Sequence, residues 1–392
     1  MTRTLRVLIA PDSFGGALDS VAVAAAIADG WARIRPDDEI LRRPMADGGE
    51  GTLAAVADAL GDSVERRTVE TTDALGRPIS ADWLLLDDGR GAFVEMAAAS
   101  GLAHLRPEER TPENARLAST RGTGELLRAA LDEGVERITI GLGGSATTDG
   151  GSGLLRALGL RLLDGDGADL PDGGTALARL DRADGSGLDP RISAIRLVVA
   201  SDVTNPLCGL RGAAATYGPQ KGADQAAVEE LDAALVRWGR GIEAATGRLV
   251  ADIPGAGAAG GTTAGLLGFA TARVRPGVEV VAELVGLAGS LEVADLVITG
   301  EGRADEQTLH GKTAIGVATL ARPRKTPVVL LCGGLGPGAA ALDAVMALTV
   351  VQPILDRPIP LEEAMADTER MLIAAAGRLA RSIGIGLELA RP

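Results

Sequence analysis

Residues 68–97 read TVETTDALGRPISADWLLLDDGRGAFVEMA. Apolar and polar residues alternate there in short runs, interrupted by turn-forming clusters of Asp, Gly and Arg. That is the signature of antiparallel hairpins. The sequence on either side has another rhythm. Before it, RVLIAP reads as a strand, VAVAAAIADGWARI as a helix with Ser20 as its cap, EILRRPM as a second strand and TLAAVADAL as a second helix. In the last hundred residues ADLVITG is a strand, a helix follows around Thr313–Leu320, and TPVVLLCGG and VMALTVVQP are further strands. A final helix is expected over Leu361–Ser382. Apolar strands alternating with helices make a parallel sheet with helices on both faces.

The hairpin stretch therefore marks an insertion. After it come a helix (GTGELLRAALDEG), a strand (RITIGLGG), a helix beyond Asp149 and another strand (IRLVVASD). The expected fold is α/β: residues 1–74 and 285–392 form a discontinuous, doubly wound, Rossmann-like parallel-sheet domain. Residues 75–284 form an inserted α/β domain, with a cleft between the two as the expected ligand site. The segment DGDGADLPDGGTALARLDRADGSG, residues 164–187, is expected to be a turn-rich surface excursion.

Composition narrows the chemistry. The chain has 392 residues, 46% of them hydrophobic but only 2% aromatic, so small aliphatic side chains must build a sizeable core. A net charge of −14 argues against nucleic acid or an anionic membrane as the main partner, since both reward basic patches. No apolar run approaches the roughly 20 residues of a membrane helix. The opening MTRTLRVLIAPDS reads straight into a strand, without a secretory pattern. Cys208 and Cys332 form no CxxC pair, and a cytoplasmic protein is expected. With only His104 and His310, and no HExxH, a histidine-based zinc site is excluded. Ser145 does not sit in a G-x-S-x-G elbow, because Thr147 stands where the second glycine belongs.

What remains is a set of strand ends running into acids, glycines and small hydroxyls: IAPDSFGG, MADGGEGT, GLGGSATTDGG, VASDVTNP and ITGEGRADEQT. In open α/β sheets ligands bind beyond the carboxyl ends of strands. In GLGGSATTDGG the glycines permit close backbone approach, and Ser145, Thr147 and Thr148 add hydroxyls. It reads either as a phosphate or carboxylate cradle or as a tight βα turn with a capped helix. Asp12, Asp47, Asp149, Asp202, Glu301 and Asp305 are each explicable as helix caps. As a set they suit Mg²⁺, which takes one or two carboxylates plus substrate phosphates, and a base for phosphoryl transfer. Arg303 and Lys312 would offset the charge of a transferring phosphoryl group. The Gly311-Lys312 pair ends no Walker loop, since Glu306 occupies the position of its first glycine. Lys221, in TYGPQKGA, is either a phosphate contact or a solvated turn lysine.

The ordered set IAPDSFGG, PMADGGEGT, GRPISADW, EMAAASGL, GTGELL, GLGGSATTDGG, SDVTNPLCG, GAAATYGPQKGA, GAGAAGG and TGEGRADEQTLHGK resembles the bacterial glycerate kinase family, the type without a Walker motif. The resemblance runs from about residue 5 to about 385. It implies ATP-dependent, Mg²⁺-assisted phosphorylation of glycerate, with 2-phosphoglycerate the favoured product, and two α/β domains, one inserted in the other. It implies glycerate at Asp12, Ser13, Asp47, Glu301 and Arg303. It implies ATP phosphates at Gly143, Gly144, Ser145, Thr147, Asp149 and Gly150, together with Lys221. Asp202 is the expected base, with Asp305 second and Lys312 catalytic beside them; Asp202 and Asp305 are the expected metal ligands. The partners implied are glycerate and ATP alone, in a monomer or homodimer.

Three departures stand out. Gly15 replaces a lysine of the family's SFKG, Thr148 an asparagine and Ser201 a common cysteine. Loss of a charge-assisted contact at Gly15 would cost roughly 1.5–3 kcal/mol unless Arg42, Arg43 or another cation substitutes. The alternatives are a phosphosugar-binding or isomerase-like protein that needs no ATP, a kinase with altered substrate, and a non-catalytic sensor that binds without turnover.

Overall fold

A computed structural model of the chain describes residues 3–310, 313–344 and 350–390. Its strands in chain order are β1 Arg6–Ile9, β2 Glu39–Arg42, β3 Glu65–Thr72, β4 Pro78–Leu86, β5 Gly91–Glu95, β6 Arg137–Gly141, β7 Arg161–Leu163, β8 Arg182–Asp184, β9 Arg196–Ala200, β10 Ala272–Arg275, β11 Leu296–Ala304, β12 Val328–Leu335 and β13 Val350–Pro353. Two compact units result. Met1–Asp47, Ala54–Gly61 and Val278–Pro392 form the first; Gly48–Leu53 and Asp62–Gly277 form the second.

In the first unit the strands lie in the order β13-β12-β11-β1-β2, all parallel. Period-2 alternation splits β12 between two cores. Val329 and Leu331 join Val7, Ile9 and Ile298 beneath the helices Ser20–Ala32 and Thr368–Leu389. Leu330 and Cys332 pack on the other face with Ala314, from the helix Thr313–Ala321. The sheet is thus covered by helices on both sides. The connection β1 to β2 runs one way along it and β11 to β12 to β13 the other, so the winding reverses between β1 and β11.

Two local expectations change. The helix Ser20–Ala32 is capped by Asp19, whose side chain accepts the Ala22 N–H at 2.8 Å, and not by Ser20. The single terminal helix is two, Leu361–Ala366 and Thr368–Leu389. Thr368 Oγ1 donates to the carbonyls of Ala364 and Met365, at 2.8 and 3.0 Å, competing for acceptors that an uninterrupted helix uses for its own backbone. The first five residues of VMALTVVQP lie outside the described residues.

The second unit holds the order β10-β9-β6-β5-β4-β3. β10, β9, β6 and β5 are parallel, while β5, β4 and β3 form the antiparallel hairpins of the opening stretch. β3 therefore belongs with the insert, whereas the sequence reading placed residues up to 74 with the chain ends; pairing with β4 over Glu65–Thr72 decides this. One sheet face, with Trp83, Val94, Ile140 and Val199, packs on Leu127, Trp238 and Leu266 from the helices Arg121–Asp132, Gln225–Thr246 and Ala258–Phe269. The 164–187 segment is not a surface excursion. It joins the hairpin β7-β8, and Leu170, Leu177 and Leu180 anchor it in the same core.

Candidate active site

In the first unit, Asp12 leaves the end of β1 beside β11. The Asp12 N–H donates to the Gly300 carbonyl at 2.8 Å, and Thr299 Oγ1 donates to the Ala10 carbonyl at 2.9 Å, so the pairing continues past the strand. The Asp12 carboxylate accepts the Ser13 N–H at 2.6 Å and the Thr313 hydroxyl at 2.5 Å. Burial pushes this carboxyl up, the two hydrogen bonds oppose it, and the Asp47 charge adds to the rise. Ser13 is exposed, as is Gly15. On β11, Glu301 is buried in register with Cys332. Arg303 pairs with Asp305 at 3.3 Å while its side chain stays 62% exposed. The Asp305 N–H donates to Thr308 Oγ1 at 3.1 Å, closing a turn. Asp12, Ser13, Glu301 and Arg303 thus gather at the reversal of winding, where such sheets bind ligands. Lys312 lies outside the described residues. Of the cations offered in place of the family lysine, Arg42 pairs with Asp58 at 3.3 Å and Arg43 donates to the Arg42 carbonyl at 2.7 Å.

In the second unit, the loop after β6 is built to one shape. A Cβ on Gly143 would stand 2.3 Å from the Gly49 Cα. Gly150 has φ 66°, and a side chain there would meet Trp238 Cδ1 at 2.3 Å. Trp238 Nε1 donates to the Gly150 carbonyl at 2.8 Å, and the Gly150 N–H donates to the Gly260 carbonyl at 2.9 Å. Asp149 is fully buried and accepts from Thr120 N–H at 2.9 Å, Thr120 Oγ1 at 2.8 Å, and Gly151 and Gly153 N–H at 3.1 Å each. Its carboxylate is thereby committed to the framework. Lys221, 2% exposed, donates to Ser145 Oγ at 2.9 Å and to the Thr147 carbonyl at 2.5 Å. It braces the loop from within. Burial pulls its ammonium down to about 7, with the Asp149 charge opposing.

Asp202 follows β9. It is exposed, and its carboxylate accepts the Gly277 N–H at 3.0 Å, capping the helix Gly277–Leu284. Asn205 is a cross-link: its Nδ2 donates to the Arg211 carbonyl and Thr216 Oγ1, and its Oδ1 accepts from the Tyr217 hydroxyl at 2.9 Å. Among the described residues no three His, Cys, Asp or Glu side chains come close enough to hold a metal ion alone. A Mg²⁺ on Asp202 or Asp305 fits only as Mg²⁺ commonly binds, through one or two carboxylates with water and phosphate oxygens completing the shell.

Sequence reasoning missed several framework residues. Thr120 and Trp238 carry no pattern that sets them apart from helix-start and core residues. The segment 257–261 packs on the loop, with Ala259, Gly260 and Gly261 all at positive φ. Its glycines, in GAGAAGG, were the available signal. Glu95 ends the apolar run of β5, and a carboxylate closing a buried strand was a signal too.

Among the described residues no helix is long and apolar enough to cross a membrane. The family model "Glycerate kinase family" matches residues 7–384. The chain is 46% identical over 379 residues to a glycerate kinase of Halalkalibacterium halodurans, covering 95% of this chain and 97% of the relative. It is 41% identical over 383 residues to the glycerate 2-kinase of Escherichia coli K12, covering 98% and 99%. A crystal structure of a protein assigned as glycerate kinase 2 in Salmonella typhimurium LT2 superposes with TM-score 0.85 at 43% identity, covering 98% of this chain and all of that one. A likeness of this extent, in sequence and in fold, makes the chain a phosphotransferase that belongs to the glycerate kinase family.

Proposed function

We propose that the protein transfers the γ-phosphoryl group of Mg-ATP to glycerate in the cytoplasm, giving 2-phosphoglycerate. Glycerate is held in the first unit by Asp12, Ser13, Asp47, Glu301 and Arg303, with Lys312 on the same chain segment. The ATP phosphates take the N–H groups of Gly144 and Ser145 in the second unit, where Gly143, Thr147, Asp149, Gly150 and Lys221 keep the loop in shape. The observation that carries the reading is the placement of Asp12 just past the end of β1 and of Glu301 on the adjacent parallel strand β11, where the winding reverses. Two carboxylates there suit a hydroxyl acid whose own carboxylate needs Arg303 or Lys312.

Asp202 is the proposed base and, with Asp305, the proposed Mg²⁺ ligand. Mg²⁺ would neutralise charge on the phosphates; the protein's share is to place and orient. A kinase with altered substrate has one observation in its favour, the open space at Gly15, where no atom lies within 4 Å of a Cβ.

The test is purified protein with Mg-ATP and D-glycerate, coupled to enolase before and after phosphoglycerate mutase is added. Signal without mutase is expected. Signal only with mutase overturns the 2-phosphate, and no signal from folded protein overturns glycerate as substrate.

A further inference from the structure

Glu95 is a buried carboxylate with no part in the chemistry proposed above. It stands at the carboxyl end of β5, in register with Gly141 of β6. Its two oxygens each accept one backbone N–H, from Gly51 at 3.0 Å and from Leu53 at 2.7 Å. These are orphan donors at the start of the helix Thr52–Leu60, whose positive end favours a carboxylate.

The segment that Glu95 ties down runs against the phosphate loop. The Gly143 N–H donates to the Gly48 carbonyl at 3.3 Å. A Cβ on Gly141 would stand 2.6 Å from that same carbonyl, so the segment needs a bare backbone there. Glu50 lies beside Gly144, its Oε2 3.6 Å from where a Cβ on Gly144 would be. Burial pushes the Glu95 carboxyl up, the two N–H groups oppose this, and the Glu50 charge adds to it.

From this geometry we infer that Glu95 is a positioning residue: it fixes Gly48–Leu53 so that Gly49 and Glu50 flank Gly143 and Gly144 of the phosphate loop. The inference rests on the reading of residues 143–151 as that loop. An acid at this place cannot be replaced by its amide without loss. Both partners are donors, and an amide offers one acceptor and one further donor.

The experiment uses the full chain and its variant Glu95→Gln, with three readouts. They are hydrogen exchange of the peptide spanning residues 48–53, Mg-ATP affinity by calorimetry, and steady-state kinetics with glycerate. We expect exchange in that peptide to speed up about tenfold or more, as for loss of one charged hydrogen bond, with little change elsewhere. ATP should bind about tenfold more weakly, or kcat should fall by a similar factor, with KM for glycerate changed less than about twofold.

Unchanged exchange overturns the role of Glu95. Faster exchange with unchanged ATP affinity and kcat overturns its connection to phosphate binding. Should the wild type not turn over glycerate, that failure belongs to the proposed activity, and the exchange and ATP measurements still decide on Glu95. If Glu95→Gln unfolds the whole chain, Glu95→Asp keeps both acceptors on a shorter stem and is judged by the same readouts.

Discussion

The loop after β6 and the carboxyl end of β11, with Asp305 just beyond it, have similar compositions and different physical characters. In residues 143–151 the polar groups are turned inward: Asp149 is buried under four hydrogen bonds, and Lys221 reaches Ser145 and Thr147 from inside. In residues 301–305 Arg303 is turned outward, largely exposed in an ion pair with the half-buried Asp305, while Glu301 is buried. The first loop is fixed by hydrogen bonds within the protein. The second keeps the charged side chain of Arg303 at the surface. Asp149 in the first is framework, whereas Asp305 in the second pairs with Arg303 and is the proposed metal ligand, though in the sequence both are an Asp near a strand end.

Mutation should separate the two kinds. The largest effect is expected from Asp149→Ala, which strands three buried N–H groups and a hydroxyl. Urea denaturation should show a loss of about 3–5 kcal/mol. A loss below about 1 kcal/mol would mean that the loop is held by other contacts. In the outward loop, Asp305→Ala should lower turnover about tenfold or more while the unfolding midpoint stays near wild type. Asp202→Ala should do the same if Asp202 is the base. Wild-type rates in either variant would remove that residue from the mechanism.

Lys221 sharpens the contrast through pH. Its folded-state value of about 7 lies below the 10.5 of an ordinary lysine, so between these limits the unfolded chain holds a proton that the folded chain does not. Its contribution to stability therefore rises as pH increases from about 7 towards 10.5. Lys221→Met should remove that rise, so the stability of the variant relative to wild type should decline with pH across this window. A pH-independent difference would show that the ammonium keeps its proton in the folded protein.

The smallest structural effect is expected from Gly15→Lys. Nothing lies within 4 Å of a Cβ at Gly15, and its φ is not in the left-handed region. Stability should change by no more than about 0.5 kcal/mol, as for a surface site. If a cation is missing there, KM for glycerate should fall. An unchanged KM would mean that Arg303 or another cation already supplies the charge.

By itself the sequence determined the local elements and their class. Apolar strands of four to nine residues separated by helical spacing predict parallel sheets, and the alternation after Thr68 predicts the hairpins. It also determined which loops would matter, because acids and glycines at strand ends have few structural reasons to accumulate. Tertiary structure alone decided what each charged group does. Whether an Asp is a cap, a buried brace or a presented reagent depends on which N–H groups converge on it. For Asp149 they include, beside the local Gly151 and Gly153, that of Thr120, 29 positions away, and for Asp202 that of Gly277, 75 positions away. The same holds for Glu95, whose donors lie at Gly51 and Leu53. A carboxylate's role is set by the donors and charges within a few ångströms of it, and chain folding brings those from distances no local pattern spans.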